Sequence, residues 1–242
     1  MAQRMRSLSG DQPKCLLQVG GMPILQRTLE NVFEAGIRDI GIVVGYRADE
    51  VRRFVTQEFP TRRIRFMMNP KFESTNNAFS LLMAREYYKT ESQQNKPSMN
   101  LLLLDSDIVF PPDLLPHLLQ QAADCIAVRV AGKHDEEEIR VSVGRNRMIQ
   151  SIGKHIPLAE TYGESVGIES FTPPSSELLF EILERRVRQG VGRTEFYEAS
   201  FQEMIEQGIT MKPIDVSRFP TIEIDTPEDL KEARQLFSER TA

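Results

Sequence analysis

The stretch Asn100 to Pro111, NLLLLDSDIVFP, places two carboxylates at the end of an apolar run. Leu101 to Leu104 have the continuous apolarity of a strand covered on both faces of a parallel sheet. Asp105 and Asp107 follow where such a strand leaves the core. In open α/β sheets ligands sit outside the carboxyl ends of the strands. Carboxylate oxygens there suit Mg²⁺ carried in on a nucleotide's phosphates. The same aspartates are as well suited to shaping the turn before Pro111 and Pro112. On their own, the residues leave both readings open. A second pair, Glu223 and Asp225 in TIEID, is one strand period apart and shares a face. Asp225 also precedes a helix start, with Thr226 as cap, Pro227 at the first helical position and acid in the first turn.

Positioning these groups requires an alternation of strands and helices, and the first half of the chain has one. Ile24 to Ile37 carries Leu25, Leu29, Val32 and Phe33 on one helical face. Strands are predicted at Asp39–Gly45, Ile64–Met68 and Cys125–Ala131, and helices at Ala48–Glu58, Ala78–Tyr88 and Asp113–Ala123. The β-α-β order implies a doubly wound, mostly parallel, Rossmann-like α/β sheet. Beyond about residue 132, Ile139–Val143 and Met148–Ile152 flank Gly144-Arg145-Asn146 as an antiparallel hairpin. Helices at Pro174–Gln189 and Thr194–Gln207, a strand at Met211–Val216 and the closing helix complete the prediction. Thr90–Ser98 reads as a polar surface loop, and Met67 and Met68 as packing residues. Residues 1–242 therefore form one expected domain, with a nucleotide-binding half at 1–131 and an acceptor-binding half at 132–242.

Composition narrows the class. Hydrophobic residues make up 40% and charged residues 27%, as in ordinary soluble proteins. A net charge of -5 disfavours a nucleic-acid surface. No apolar run approaches the roughly 20 residues that span a bilayer. Cys15 and Cys125 cannot build a disulfide framework, and the three histidines have no zinc-like spacing. The expected protein is a cytoplasmic enzyme that binds neither nucleic acid nor membrane, with a homodimer left open. Nothing apolar precedes Pro13, so a first strand of about 5–6 residues is expected upstream of Met1.

Arg4, Pro13-Lys14 and Gly20-Gly21 resemble part of the opening signature of the sugar-nucleotidyltransferase-like family, without its first strand and glycines. Gly45-Tyr46, Asn69, Ser74-Thr75-Asn76-Asn77, Asp105-Ser106-Asp107, Ile152-Gly153-Lys154, Gly163-Glu164, Tyr197-Glu198 and Glu223-Ile224-Asp225 follow in family order. Thr75 to Leu81 and Tyr197-Glu198 are most similar to cytidylyltransferases acting on phosphocholine or 2-aminoethylphosphonate, with Phe196 in place of a tyrosine.

The resemblance implies a Mg²⁺-dependent transfer from CTP, or another nucleoside triphosphate, to a small phosphorylated substrate. Arg4 and Lys14 would hold the triphosphate. Asp107 and Asp225 would bind the metal, assisted by Glu223. Gly45, Asn76, Ser80 and Asp105 would line the nucleotide site, and Asn76 and Ser80 offer donors and acceptors to a cytosine edge. Lys154 would meet the acceptor's phosphate. Glu164, Tyr197 and Glu198 would meet its variable end, where a carboxylate beside an aromatic ring suits an ammonium. Each has a plainer alternative: Arg4, Lys14 and Lys154 as surface cations, and Ser74 to Asn77 as helix caps. The competing activities are a sugar-1-phosphate uridylyl- or thymidylyltransferase and a non-catalytic nucleotide-binding module. A dinucleotide oxidoreductase is disfavoured because no G-x-G-x-x-G follows a strand.

Overall fold

The computed structural model describes residues 12–95, 99–121, 123–131 and 138–238, and in it the apolar periods of the chain become a mixed α/β fold. A 3-10 turn at Lys14–Leu16 leads into a short hairpin, β1 (Gln18–Val19) and β2 (Met22–Pro23), which turns at Gly20-Gly21. Helix α1 (Ile24–Glu34), β3 (Ile40–Val44), α2 (Ala48–Glu58) and β4 (Ile64–Met68) follow, with β3 and β4 parallel. Next come α3 (Asn77–Met83), α4 (Arg85–Asn95), β5 (Leu101–Leu104), β6 (Ile108–Val109), α5 (Leu114–Leu119) and β7 (Cys125–Arg129). The second half holds β8 (Arg140–Val143), β9 (Ile149–Gly153), β10 (Gly163–Phe171), α6 (Pro173–Arg188), α7 (Glu198–Glu206), β11 (Lys212–Asp215), β12 (Ile222–Glu223) and α8 (Pro227–Leu236).

The largest sheet runs β11-β7-β10-β8-β9, with β5 also hydrogen-bonded to β10. β11 is parallel to β7, while β10 is antiparallel to β5, β7 and β8. It follows that β5, β7, β8 and β11 all point one way, while β10 and the edge strand β9, antiparallel to β8, run opposite to them. Both faces are covered. Phe171, Ile126 and Val128 pack with Leu179, Leu183, Phe201 and Met204 of α6 and α7. Ile168, Ala127 and Ile108 pack with Val32 of α1 and Leu114, Leu115 and Leu118 of α5. Burying each such side chain contributes on the order of 1.5–3 kcal/mol.

Several expectations are met closely. The helix Ala48–Glu58, the strand Ile64–Met68 and the antiparallel β8–β9 hairpin lie where their periodicity puts them. Others need correction. Leu101 to Leu104 are only half-buried, because β5 has a strand neighbour on one side alone, β10, among the described residues. The segment Thr90 to Asn95 is helical within α4, because the fully buried Glu91 is held by Arg63 at 2.7 Å and Arg65 at 3.3 Å. Met68 is exposed at the end of β4 rather than packed. The nine-residue β10, not anticipated, is the strand around which the sheet is built.

Candidate active site

The short β6–β12 pairing decides the geometry of the site. Glu223 pairs with Ile108, and the Ile224 N–H donates to the Asp107 carbonyl at 3.0 Å. Two chain segments far apart in sequence are thereby fixed side by side, and both end in acid. Beyond β12, Asp229 folds back from the first turn of α8. Its Oδ2 accepts from the Asp225 N–H at 2.9 Å and the Thr226 N–H at 2.6 Å, while the Thr226 hydroxyl accepts from the Asp229 N–H. This capping box satisfies helix-end donors and holds the Asp225 backbone in place.

Asp107, Glu223 and Asp225 bring ligand oxygens within 4.8 Å of one another. Lys14 Nζ donates to Asp107 Oδ2 at 2.7 Å and to Asp225 Oδ1 at 2.6 Å. Burial works against the Lys14 charge, but Asp107 and Asp225 more than offset it, so its pKa lies above the ordinary value. Glu223 is exposed as a residue, yet its carboxyl loses hydration in this depression. That loss, then repulsion from Asp107 and Asp225, pushes it up to about 8. Such a pocket stabilises added positive charge. Its all-oxygen donor set fits a hard divalent cation, and the seated ammonium displays the same preference.

Asp105 lies two residues from Asp107 but has different surroundings. Gly167, at φ +70°, brings its backbone against the Asp105 carboxyl, and a Cβ there would come within 2.8 Å of Asp105 Oδ2. The Asp105 N–H donates to the Gly167 carbonyl at 2.9 Å. Burial first, then Asp107, pushes the Asp105 carboxyl up to about 7. Behind it lie Tyr197, Glu198 and Glu169, all buried. The Tyr197 hydroxyl faces Asp105 without a hydrogen bond of ordinary geometry. Glu198 is pushed up to about 8 by burial and Asp105, with Lys154 pulling the other way. Glu169 is raised well above the carboxylate range by burial, then by Asp105 and Glu198.

On the side of β3 and β4, the Asn69 side chain donates to Thr75 Oγ1 and Ser80 Oγ, both at 3.0 Å. Ser80 is thus tied to the loop before α3. Asn76 caps α3 by accepting from the Asn77 N–H at 2.9 Å, and its amide reaches the Thr194 carbonyl at 3.4 Å. The capping alternative is therefore realised at Asn76. Gly45 is required by packing, since a Cβ would meet that of Phe72 at 2.6 Å. Neighbouring Tyr46 is exposed and meets Phe72 edge-on at 6.4 Å.

Toward α6 and α7, Lys154, Phe196, Glu198 and Gln202 wall a cleft of about 840 Å³ that Arg185 and Arg186 also border. Lys154 Nζ lies 5.4 Å from the Phe196 ring centroid. Glu164 is paired with Arg129 instead, beside the Thr221 carbonyl that Arg129 also reaches. The structure therefore gathers Lys14, Asp107, Glu223 and Asp225 into one cluster. It joins Asp105 to Tyr197 and Glu198, sets Gly45 and Asn76 in the loops beyond β3 and β4, and places Ser80 within α3. Arg4 lies outside the described residues. Glu169 and Gly167 carried no sequence signal beyond their position ahead of an apolar helix.

Residues 1–170 match the MobA-like NTP transferase domain family. The chain belongs to this family. Its nucleotidyltransferase relatives include the CMP-5'-(3-aminopropyl)phosphonate synthase of Streptomyces rubellomurinus, 26% identical over 98% of this chain and 37% of that protein. The choline-phosphate cytidylyltransferase of Streptococcus pneumoniae is 30% identical over 36% of each chain. The chain thus spans little more than a third of the length of these two relatives. Among solved structures, the inositol-1-phosphate CTP transferase from T. maritima superposes with a TM-score of 0.76 at 20% identity, over 99% of this chain and 93% of that one. This likeness establishes the fold. No helix among the described residues of this MobA-like domain is long and apolar enough to cross a membrane.

Proposed function

We propose that the chain is a Mg²⁺-dependent cytidylyltransferase that joins CTP to a small phosphorylated alcohol or phosphonate. The observation that carries this reading is the convergence of Asp107, Glu223 and Asp225 within 4.8 Å, with the Lys14 ammonium bridging two of them. The similarity to cytidylyltransferases supports the choice of base.

In the reaction, an acceptor phosphate or phosphonate oxygen bonds to the α-phosphorus of CTP. The bond from that phosphorus to the bridging oxygen breaks, and pyrophosphate leaves with the electron pair. Phosphoryl chemistry of this kind needs alignment and charge neutralisation more than covalent work by the protein. Asp107 and Asp225, with Glu223 beside them, would hold Mg²⁺, which when bound neutralises charge on the reacting phosphates. The Lys14 ammonium, beside Asp107 and Asp225, would meet the triphosphate, and Arg4 would add a bidentate contact. Asp105 orders the floor between the metal side and Tyr197. Lys154 offers a point charge to the acceptor's anionic end, at the cleft beside Glu198. In this scheme residues 1–131 supply the nucleotide half and 132–242 the acceptor half of a cytoplasmic enzyme.

Pyrophosphate release tests the proposal. CTP, UTP, dTTP and GTP are each paired with phosphocholine, 2-aminoethylphosphonate and glucose 1-phosphate in the presence of Mg²⁺. Release that depends on CTP and on a small phosphate or phosphonate is expected. Release only with a uridine or thymidine nucleotide and the hexose phosphate would replace this reading with sugar activation.

A further inference from the structure

We propose that Arg27, Arg234 and the C-terminal end of α8 form a clamp that holds the Lys14 ammonium between Asp107 and Asp225. This rests on the metal assignment above, and on neither the identity of the base nor that of the acceptor. Thr226, the cap of α8, directly follows Asp225, and the far end of the same helix lies against the segment that carries Lys14. The 3-10 turn at Lys14–Leu16 runs almost directly into β1. Leu17 and Val19 are buried with Leu230 and Ala233 of α8, with Ile222 and Ile224 just before Asp225, and with Val109 just after Asp107. One apolar cluster therefore joins the backbone that carries the cation to the backbones that carry both acids.

The polar contacts point the same way. From the last turn of α8, Arg234 Nε donates to the Gln18 carbonyl at 3.0 Å. From α1, Arg27 Nη2 donates to the Val19 carbonyl at 3.0 Å, and its guanidinium lies 5.5 Å from the Phe237 ring centroid. A planar guanidinium can hold a carbonyl and an aromatic face at once, which an ammonium does less well. Gly20, at φ +58°, lies so close to the end of α8 that a Cβ there would overlap the Phe237 carbonyl oxygen. Three successive residues, Gln18 to Gly20, are thus fixed by α1 and α8. Arg27 and Arg234 are positioning residues that act through Lys14.

The clamp has a consequence of definite sign. The Lys14 ammonium and a divalent cation compete for the oxygens of Asp107 and Asp225. A turn held firmly presents that ammonium with little further loss of chain entropy. Loosening the turn weakens the competitor, so metal binding to the nucleotide-free protein tightens. General damage to the pocket would weaken it instead.

The test follows Mn²⁺ binding to the full chain by electron paramagnetic resonance in Arg27→Met, Lys14→Met and the double variant. Arg27→Met should tighten Mn²⁺ binding about threefold, the worth of one hydrogen bond. It should add nothing in the Lys14→Met background. Arg27→Lys, which keeps a donor for the Val19 carbonyl, should restore most of the original affinity. The Leu16 and Leu17 N–H groups donate to the Pro13 and Lys14 carbonyls at 2.9 and 3.0 Å, and in Arg27→Met their hydrogen exchange should quicken about threefold. Unchanged or weaker Mn²⁺ binding in Arg27→Met overturns the clamp, and tightening in Lys14→Met alone then leaves the metal assignment standing. If no variant binds Mn²⁺, the metal assignment falls and exchange decides: quickened exchange at Leu16 and Leu17 supports the clamp, and unchanged exchange overturns it. If Arg27→Met fails to fold, Arg234→Met on the exposed side of α8 is read by the same outcomes.

Discussion

Asp105 and Asp107 are two residues apart, yet they belong to acidic groups of opposite character. Asp107 faces Glu223 and Asp225 in a partly open pocket, where Lys14 supplies a counter-charge at hydrogen-bond distance. Asp105 faces Glu169, Tyr197 and Glu198, where burial dominates and the polar atoms outnumber their partners. In the first group, two of the acids already share one cation, the Lys14 ammonium. In the second, burial favours the protonated acids. The contrast teaches that an acidic cluster is read from what matches it.

The comparison can be broken most severely at the open pocket. Asp107→Ala and Asp225→Ala should each lower CTP-dependent pyrophosphate release on the order of 10³-fold while far-UV circular dichroism stays unchanged. Near-normal rates in either variant would remove the metal assignment. Lys14→Met takes away the seated ammonium. Mn²⁺ binding to the nucleotide-free protein, followed by electron paramagnetic resonance, should then tighten about tenfold, even as turnover is lost. Unchanged Mn²⁺ affinity would mean that Lys14 does not compete for the pocket.

The closed group gives a pH signature. Asp105 near 7 and Glu198 near 8 lie above their unfolded values, so the folded chain binds more protons than the unfolded one. Stability from these groups is complete below about pH 4, near the unfolded values. It is lost as pH rises through about 7 to 8. The melting temperature of the ligand-free protein should therefore decline across that window, and Glu198→Gln should flatten the decline. A melting temperature that rises over the same range would contradict the buried, protonated description. The smallest effect belongs to Thr226→Ala. Loss of the cap should cost about 1 kcal/mol, or roughly 2–4 °C in melting temperature, with a modest loss of activity because Asp225 is less firmly held.

Much of the fold was legible because local rules and tertiary packing agreed. Ala48–Glu58 has a clean helical period, and Thr226-Pro227-Glu228-Asp229 contains the chemistry of its own cap. The meeting of Asp107 with Glu223 and Asp225 follows from acids placed at strand ends. Strand β10 was hidden. Gly163 and Gly167 interrupt its pattern, and Glu164 and Glu169 put charge where a buried strand normally has apolar groups. Glu169 was illegible for the same reason, since only the sheet reveals that its side chain is enclosed. Burial of Leu101–Leu104 was overstated because apolarity speaks of affinity for a core, while the neighbouring strands determine how much core is there. Asn76 shows the limit of reading polar side chains, since one amide both caps α3 and reaches the Thr194 carbonyl.

The late arrival of β10 has a consequence for how the chain is made. Leu101 pairs with Phe171 and Cys125 with Ser170, so β5 and β7 leave the ribosome well before their common neighbour. Until residues 163–171 emerge, those two strands have no ladder partner in β10, and their apolar edges are open to the wrong one. Sheet closure depends on contacts distant in sequence, which form slowly. Synthesis beyond Phe171 thus becomes the step that commits the nascent chain, and slowing translation just before Gly163 should increase aggregation more than slowing it after α6.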